Sequence, residues 1–229
     1  MSMNLSPASS PSIILRNFII LSAAVVVHFT ALTQPAAENG LLPPAGFTSL
    51  FNGRDFTGWD GPMESFRIED GAIVGGQLKQ PIPRNQFLTT AKTYTNFILR
   101  LKFRLIGENA NAGIQIRSRR IPDHHEMIGY QADLGQRYWG ALYDESRRRT
   151  ILAQADLEKV LAVLNRDGWN EYVIEARGDR IRLSINGLQT VDYLEEDASL
   201  EQFGLIGLQI HSGPPSEAWY KDIWIRELP

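Results

Sequence analysis

The stretch from Phe97 to Leu105 sets Phe97, Leu99, Leu101, Phe103 and Leu105 on one parity and Arg100, Lys102 and Arg104 on the other. A period of two belongs to a strand with one buried and one charged face, because successive side chains leave a strand on opposite sides. A helix would scatter the same residues around its circumference. The pattern recurs in Gly113–Ser118, Gly129–Leu134, Glu171–Ala176, Arg180–Asn186, Leu205–His211 and Trp219–Arg226. Glu69-Asp70-Gly71 predicts a hairpin within Phe66–Val74, and Asn186-Gly187 predicts a tight turn into Leu188–Asp192. A further strand is expected near Tyr138–Leu142. Only Asp156–Leu164 has helical spacing, with Leu157, Val160, Leu161 and Leu164 on one side and Asp156 as N-cap. Many short strands, loops rich in Gly and Pro, and one short helix predict an all-β fold of two antiparallel sheets.

The 229 residues suit one such domain, and a net charge of -3 gives no general attraction to nucleic acid or an acidic membrane. With no cysteine there is no disulfide, no thiolate nucleophile and no Cys-ligated metal. Arg16, the apolar run Phe18–Val27 and the small residues beyond it describe a signal peptide over residues 1–33. Cleavage is expected after Thr33 or near Ala37, and export to the periplasm or the extracellular space follows. An uncleaved anchor is the alternative, since the run is only slightly short of a membrane span. Residues 34–45 read as a linker and residues 46–229 as the folded domain. No feature points to a particular oligomeric state.

If the apolar partners face inward, three strands offer Gln and then a charged or titratable residue two positions on. These are Gln115/Arg117, Gln131/Asp133 and Gln209/His211. Amides give both donor and acceptor to paired hydroxyls, and Arg gives a planar fork, so one shared face would suit a carbohydrate. Three unrelated solvated faces, or amides pairing across neighbouring strands, are the structural alternatives.

His211 has an ordinary pKa near neutrality and could serve as base, acid or hydroxyl ligand. Asp133 could orient it, take a proton itself, or simply pair with Arg117. In the segment Tyr143–Arg149, Tyr143 and Arg148 could close over the polar face. Trp139, beside Gly140, is the best sugar-stacking candidate among tryptophans otherwise expected in the core. His124-His125-Glu126 matches no common metal-ligand spacing, although a loop could bring two of them to one ion. No Ser-His-Asp motif, phosphate-cradling loop or dinucleotide fingerprint is present.

Five stretches, in order, resemble the 3-keto-disaccharide hydrolase family. They are Phe47–Trp59, Asn111–Ser118, Gly129-Tyr130-Gln131 with Tyr143-Asp144-Glu145, Gly168–Tyr172 and Gly207–Gly213. The resemblance implies a concanavalin A-like jelly roll and a carbohydrate substrate. It also implies cleavage of a glycoside whose sugar carries a ketone at C3, by removal of the C2 proton and elimination at C1. On that reading His211 or Asp133 is the base, Arg117 stabilises the enolate and Tyr143 donates a proton. Gln115, Gln131, Gln209, Arg148 and Trp139 would hold the sugar. Concanavalin A-like folds often carry calcium, so a divalent cation is a possible cofactor, but no run of ligands marks a site. A non-catalytic, lectin-like sugar-binding module is the alternative function.

Overall fold

The computed structural model describes residues 42–229. The expected signal peptide (1–33) and most of the expected linker (34–45) lie outside the described residues.

Two short strands open the domain, β1 (Thr48–Ser49) and β2 (Trp59–Asp60). The hairpin at Glu69-Asp70-Gly71 joins β3 (Phe66–Glu69) to β4 (Ala72–Gln77), with Asp70 and Gly71 both at positive φ, as a tight turn requires. Alternation gives no sign of β5 (Gln86–Thr90), because all five of its residues are buried and its two faces look alike. The strands β6 (Phe97–Ile106), β7 (Asn111–Arg120) and β8 (Met127–Gly135) form where the period of two places them.

The next strand differs from expectation. Tyr138–Ala141 is a turn, closed by Ala141 N donating to Tyr138 O at 3.0 Å, and β9 (Leu142–Glu145) starts only afterwards. β10 (Ile151–Ala153) precedes the helix α1 (Leu157–Val163), which is capped by Asp156 accepting from Lys159 N at 3.3 Å. The domain closes with β11 (Asn170–Arg177), β12 (Arg180–Ile185), β13 (Leu188–Leu194), β14 (Leu205–Ile210) and β15 (Ser216–Glu227).

The strands form two antiparallel sheets. One runs β13-β12-β11-β6-β15-β4-β3 with β1 on β15; the other runs β10-β9-β8-β7-β14-β5-β2. Phe97, Leu99, Leu101 and Phe103 of the first sheet join Ile114, Ile116, Ala132, Ile206 and Leu208 of the second in one buried core. The charged parity of β6 faces outward, where the Arg104 guanidinium lies over the rings of Trp169 (5.0 Å) and Trp219 (4.4 Å). By the same rule, the polar parity of β7, β8 and β14 must lie on the outer face of the seven-stranded sheet.

Candidate functional site

Register lines the polar residues up across that outer face. Gln209 pairs with Gly113 and Gly113 with Asp133 in one row; Gly207, Gln115, Gln131 and Tyr143 form the next. The structure therefore brings Gln115, Gln131, Asp133, Tyr143 and Gln209 together. His211 follows on the parity of Gln209, its N–H donating to Asn111 O at 3.1 Å.

Two of the amides pair with each other, as the structural alternative supposed. Ser118 Oγ donates to Gln115 Oε1 (2.6 Å), Gln115 Nε2 to Gln131 Oε1 (2.8 Å) and Gln131 Nε2 to Asp133 Oδ1 (2.7 Å). Every donor in this buried chain points towards Asp133, which leaves Oδ2 outside the chain. Gly113 makes the arrangement possible, since a Cβ there would stand 2.7 Å from Gln131 Cδ. Gln209 is different. It is fully buried, and neither its Oε1 nor its Nε2 has a hydrogen-bond partner, a state that ordinarily costs a folded protein about 1–3 kcal/mol per group.

A bulge between Ile116 and Arg119 shapes the roof of this face. Arg117 sits in the left-handed region (φ 47), and the end of the β7–β8 hairpin curls over the sheet. Met127 Sδ comes within 3.1 Å of where a Gly207 Cβ would be, and Arg120 Nη2 donates to Thr89 Oγ1 (3.0 Å) and Asp60 O (2.8 Å). Gly129 permits the curl, because a Cβ there would lie 2.3 Å from Ser118 Oγ. The loop at the tip delivers Glu126 to Asn85: Asn85 Nδ2 donates to Glu126 Oε1 at 3.0 Å, and His125 Nε2 lies 3.2 Å from the same oxygen. Asn85 Oδ1 accepts from Ser212 N (2.8 Å), next to His211. His211 Nδ1 is 2.7 Å from Ser212 O. A carbonyl can only accept, so Nδ1 carries a proton there.

The electrostatics set two carboxyls apart. Burial pushes Asp133 up to about 8; the Gln131 bond opposes the shift and the charge of Glu145 adds to it. Burial and the charge of Glu126 push Glu145 up to about 7, against bonds from Ser146 and the charge of Arg149. Tyr143 is raised by burial, then by Glu145 and Asp133. Glu145 and Glu126 are site residues that the alternation argument passes over. The parity shared by Tyr143 and Glu145 could have found the first, but only the curled hairpin reveals the second.

Three expected members lie elsewhere. The bulge turns Arg117 away from the row, and its guanidinium donates to Thr95 O (2.8 Å), Gly178 O (2.7 Å), Gln202 Oε1 (2.6 Å) and Asn96 Oδ1 (3.1 Å). Burial among these neutral acceptors lowers its pKa to about 10. Arg148 pairs with Asp144, which points inward because its neighbours Tyr143 and Glu145 point out, and with Glu195 Oε2 at 2.6 Å. Burial alone would raise Glu195, but Arg148 and then Tyr130 hold it at about 2. Trp139 stacks on Phe103 with ring centroids 6.1 Å apart and packs against the core. The alternative pairing of Asp133 with Arg117 does not form, and the ring of Trp139 is taken up by Phe103 instead of standing free as a stacking platform.

His124 and His125 stack on each other at 4.4 Å. Among the described residues no group of three or more His, Asp or Glu side chains converges to hold a metal ion. Among the same residues no helix is long and apolar enough to cross a membrane.

The profile of the family described as 3-keto-alpha-glucoside-1,2-lyase-like domain matches residues 46–226. No curated protein matches the chain significantly. Solved structures with a similar fold include a candidate glycosyl hydrolase from Parabacteroides distasonis, at 20% identity and a TM-score of 0.62, over 80% of this chain and 95% of that one. A carbohydrate-binding module from Bacillus subtilis matches at 12% identity and 0.59, over 74% and 96%. A galectin-like protein of the same organism matches at 14% and 0.57, over 75% and 90%. At such identities the likeness is one of fold, and the fold is the lectin-like sandwich.

Proposed function

The chain belongs to the 3-keto-alpha-glucoside-1,2-lyase-like domain family, and from that premise we propose that it cleaves 3-keto-glycosides on the outer face of its seven-stranded sheet. The observation that carries this reading is the pair of carboxyls lifted to about 8 and about 7 beside an unpartnered buried amide. Carboxyls tuned to neutrality can take up or release a proton at working pH, as acid–base catalysis requires.

The chemistry needs a base at C2, a donor for the enolate oxygen at C3 and an acid for the departing oxygen at C1. In this reading Asp133 is the base through Oδ2, and the bond from Gln131 to its other oxygen supports that role. Asp133 removes the C2 proton, the C–H electron pair forms C2=C3, and the carbonyl π pair moves onto the C3 oxygen. That charge is met by the Gln209 amide N–H, in the role first expected of Arg117. Collapse of the enolate forms C1=C2 and breaks C1–O. Glu145 or Tyr143 then protonates the expelled oxygen, and water added across the new double bond would complete hydrolysis. His211, held by its Nδ1 on Ser212 O, meets a sugar hydroxyl through Nε2. The signal-like N-terminus would place this activity outside the cytoplasm.

The test is to incubate the protein with a 3-keto-glucoside and follow both aglycone release and absorbance of the conjugated enone. Asp133→Asn should lower turnover by about 100- to 10,000-fold, the usual worth of a general base, with binding retained. Tight binding by the wild type without any turnover would instead identify a lectin-like module.

A further inference from the structure

Among the described residues, the buried side-chain oxygens and nitrogens that lack a partner over the outer face of the seven-stranded sheet belong to Gln209 and to Glu126. Glu126 Oε1 is engaged by Asn85 and His125, whereas Oε2 is buried and meets nothing. A glutamine would tether the hairpin to Asn85 equally well through its amide oxygen. A carboxylate with one oxygen out of water and unpaired is a costly way to anchor a loop. Asn85 is itself fixed by Ser212 N, so the carboxylate is held in one orientation.

We propose that Glu126 is a substrate-binding residue, whose Oε2 accepts a hydrogen bond from a hydroxyl of a neutral pyranose while Gln209 engages the same ring. This inference rests on the reading of the outer face as a saccharide site and adds the element that closes over the sugar. Neutrality follows from the groups present: the carboxyls of Glu126, Asp133 and Glu145 share the face, Arg120 above it is engaged by Thr89 Oγ1 and the Asp60 carbonyl, and Arg117 and Arg148 are turned away. Arg149 is the cation whose charge reaches Glu145. A sugar bearing a carboxylate would meet like charge here, whereas hydroxyls meet acceptors.

The experiment titrates wild type and Glu126→Gln with 1,5-anhydroglucitol in its 3-hydroxyl and 3-keto forms, and with the 4-deoxy and 6-deoxy analogues. These ligands have no leaving group at C1, so binding is read without turnover. Removing the hydroxyl that meets Oε2 should cost the wild type about 10- to 100-fold in affinity, the usual worth of a hydrogen bond to a charged group. Glu126→Gln should lose the same factor on the intact sugar and nothing further on that one deoxy analogue. Melting temperature is read alongside. If Glu126→Gln does not fold, Glu126→Asp, which keeps the charge and withdraws the oxygen by one methylene, gives the same reading. Full affinity in the variant, or an unchanged penalty at every deleted hydroxyl, overturns the proposal. A wild type that binds the 3-hydroxyl and 3-keto forms equally, yet still discriminates between the deoxy analogues, counts against the 3-keto reading and leaves the Glu126 contact standing. A wild type that binds none of them removes both.

Discussion

Replacing Gln209 by Met should make the protein more stable and its binding weaker. The two residues are of similar length and unbranched, so Met can fill the same space without strain. The backbone of position 209 is untouched, including its carbonyl, which accepts from Tyr220 Oη at 2.6 Å. What disappears is an amide whose oxygen and nitrogen are both buried and unpartnered. Relieving one such group is worth about 1–3 kcal/mol, and the two atoms of one amide are not independent, so the net gain expected is also about 1–3 kcal/mol. For a domain of this size each kcal/mol moves the midpoint by about 2–4 °C, which gives a rise of about 2–12 °C by calorimetry. Affinity for 3-keto-glucosides should fall about tenfold or more, because the donor to the C3 oxygen is gone. A destabilised variant with an unchanged denaturant m-value would show that the amide is satisfied in solution and not held ready for a ligand. A stabilised variant with full affinity would show that Gln209 takes no part in the site.

Stability should also depend on pH in a defined sense. Asp133 and Glu145 have folded pKa values raised to about 8 and about 7, so between their ordinary range near 4 and those values the folded state holds more protons than the unfolded one. Stability therefore falls as pH rises from about 5 to about 8, and Asp133→Asn flattens the slope; a melting series that rises with pH through this window would refute the assignment. Arg148→Met should cost about 3–5 kcal/mol in denaturant unfolding, because it takes the paired cation from the buried carboxylate of Glu195, while Asp144 keeps its bonds from Arg147 Nε. Any of the sugar ligands should still bind that variant wherever it remains folded, since Arg148 faces away from the row; selective loss of binding with stability intact would return Arg148 to the site.

Much of the domain is legible in the order of its residues. Alternation is a local property, so β6, β7, β8, β11 and β14, the hairpin at Asp70-Gly71 and the cap at Asp156 can all be read directly. The same parity assigns Gln115, Gln131, Asp133 and Gln209 to one face. β5 escapes because it is buried on both sides and so shows no contrast, although it lies in the sheet that carries the site.

Parity counting fails at one residue. The bulge at Arg117 inserts an extra step into β7, reversing the sense of everything beyond it. Arg117 is lost from the row for that reason, and for the same reason the hairpin tip comes down with Glu126 to Asn85. Trp139 and Arg148 lie off the face because a turn and an inward-pointing Asp144 set their directions. The raised carboxyls belong to the assembled protein alone: desolvation and charge reach through space, and residues far apart in the chain supply both. Sequence thus determined which strands form and which side of each is polar, since both follow from near neighbours. Tertiary structure decided which polar groups meet, which satisfy one another, and which are left waiting for a partner.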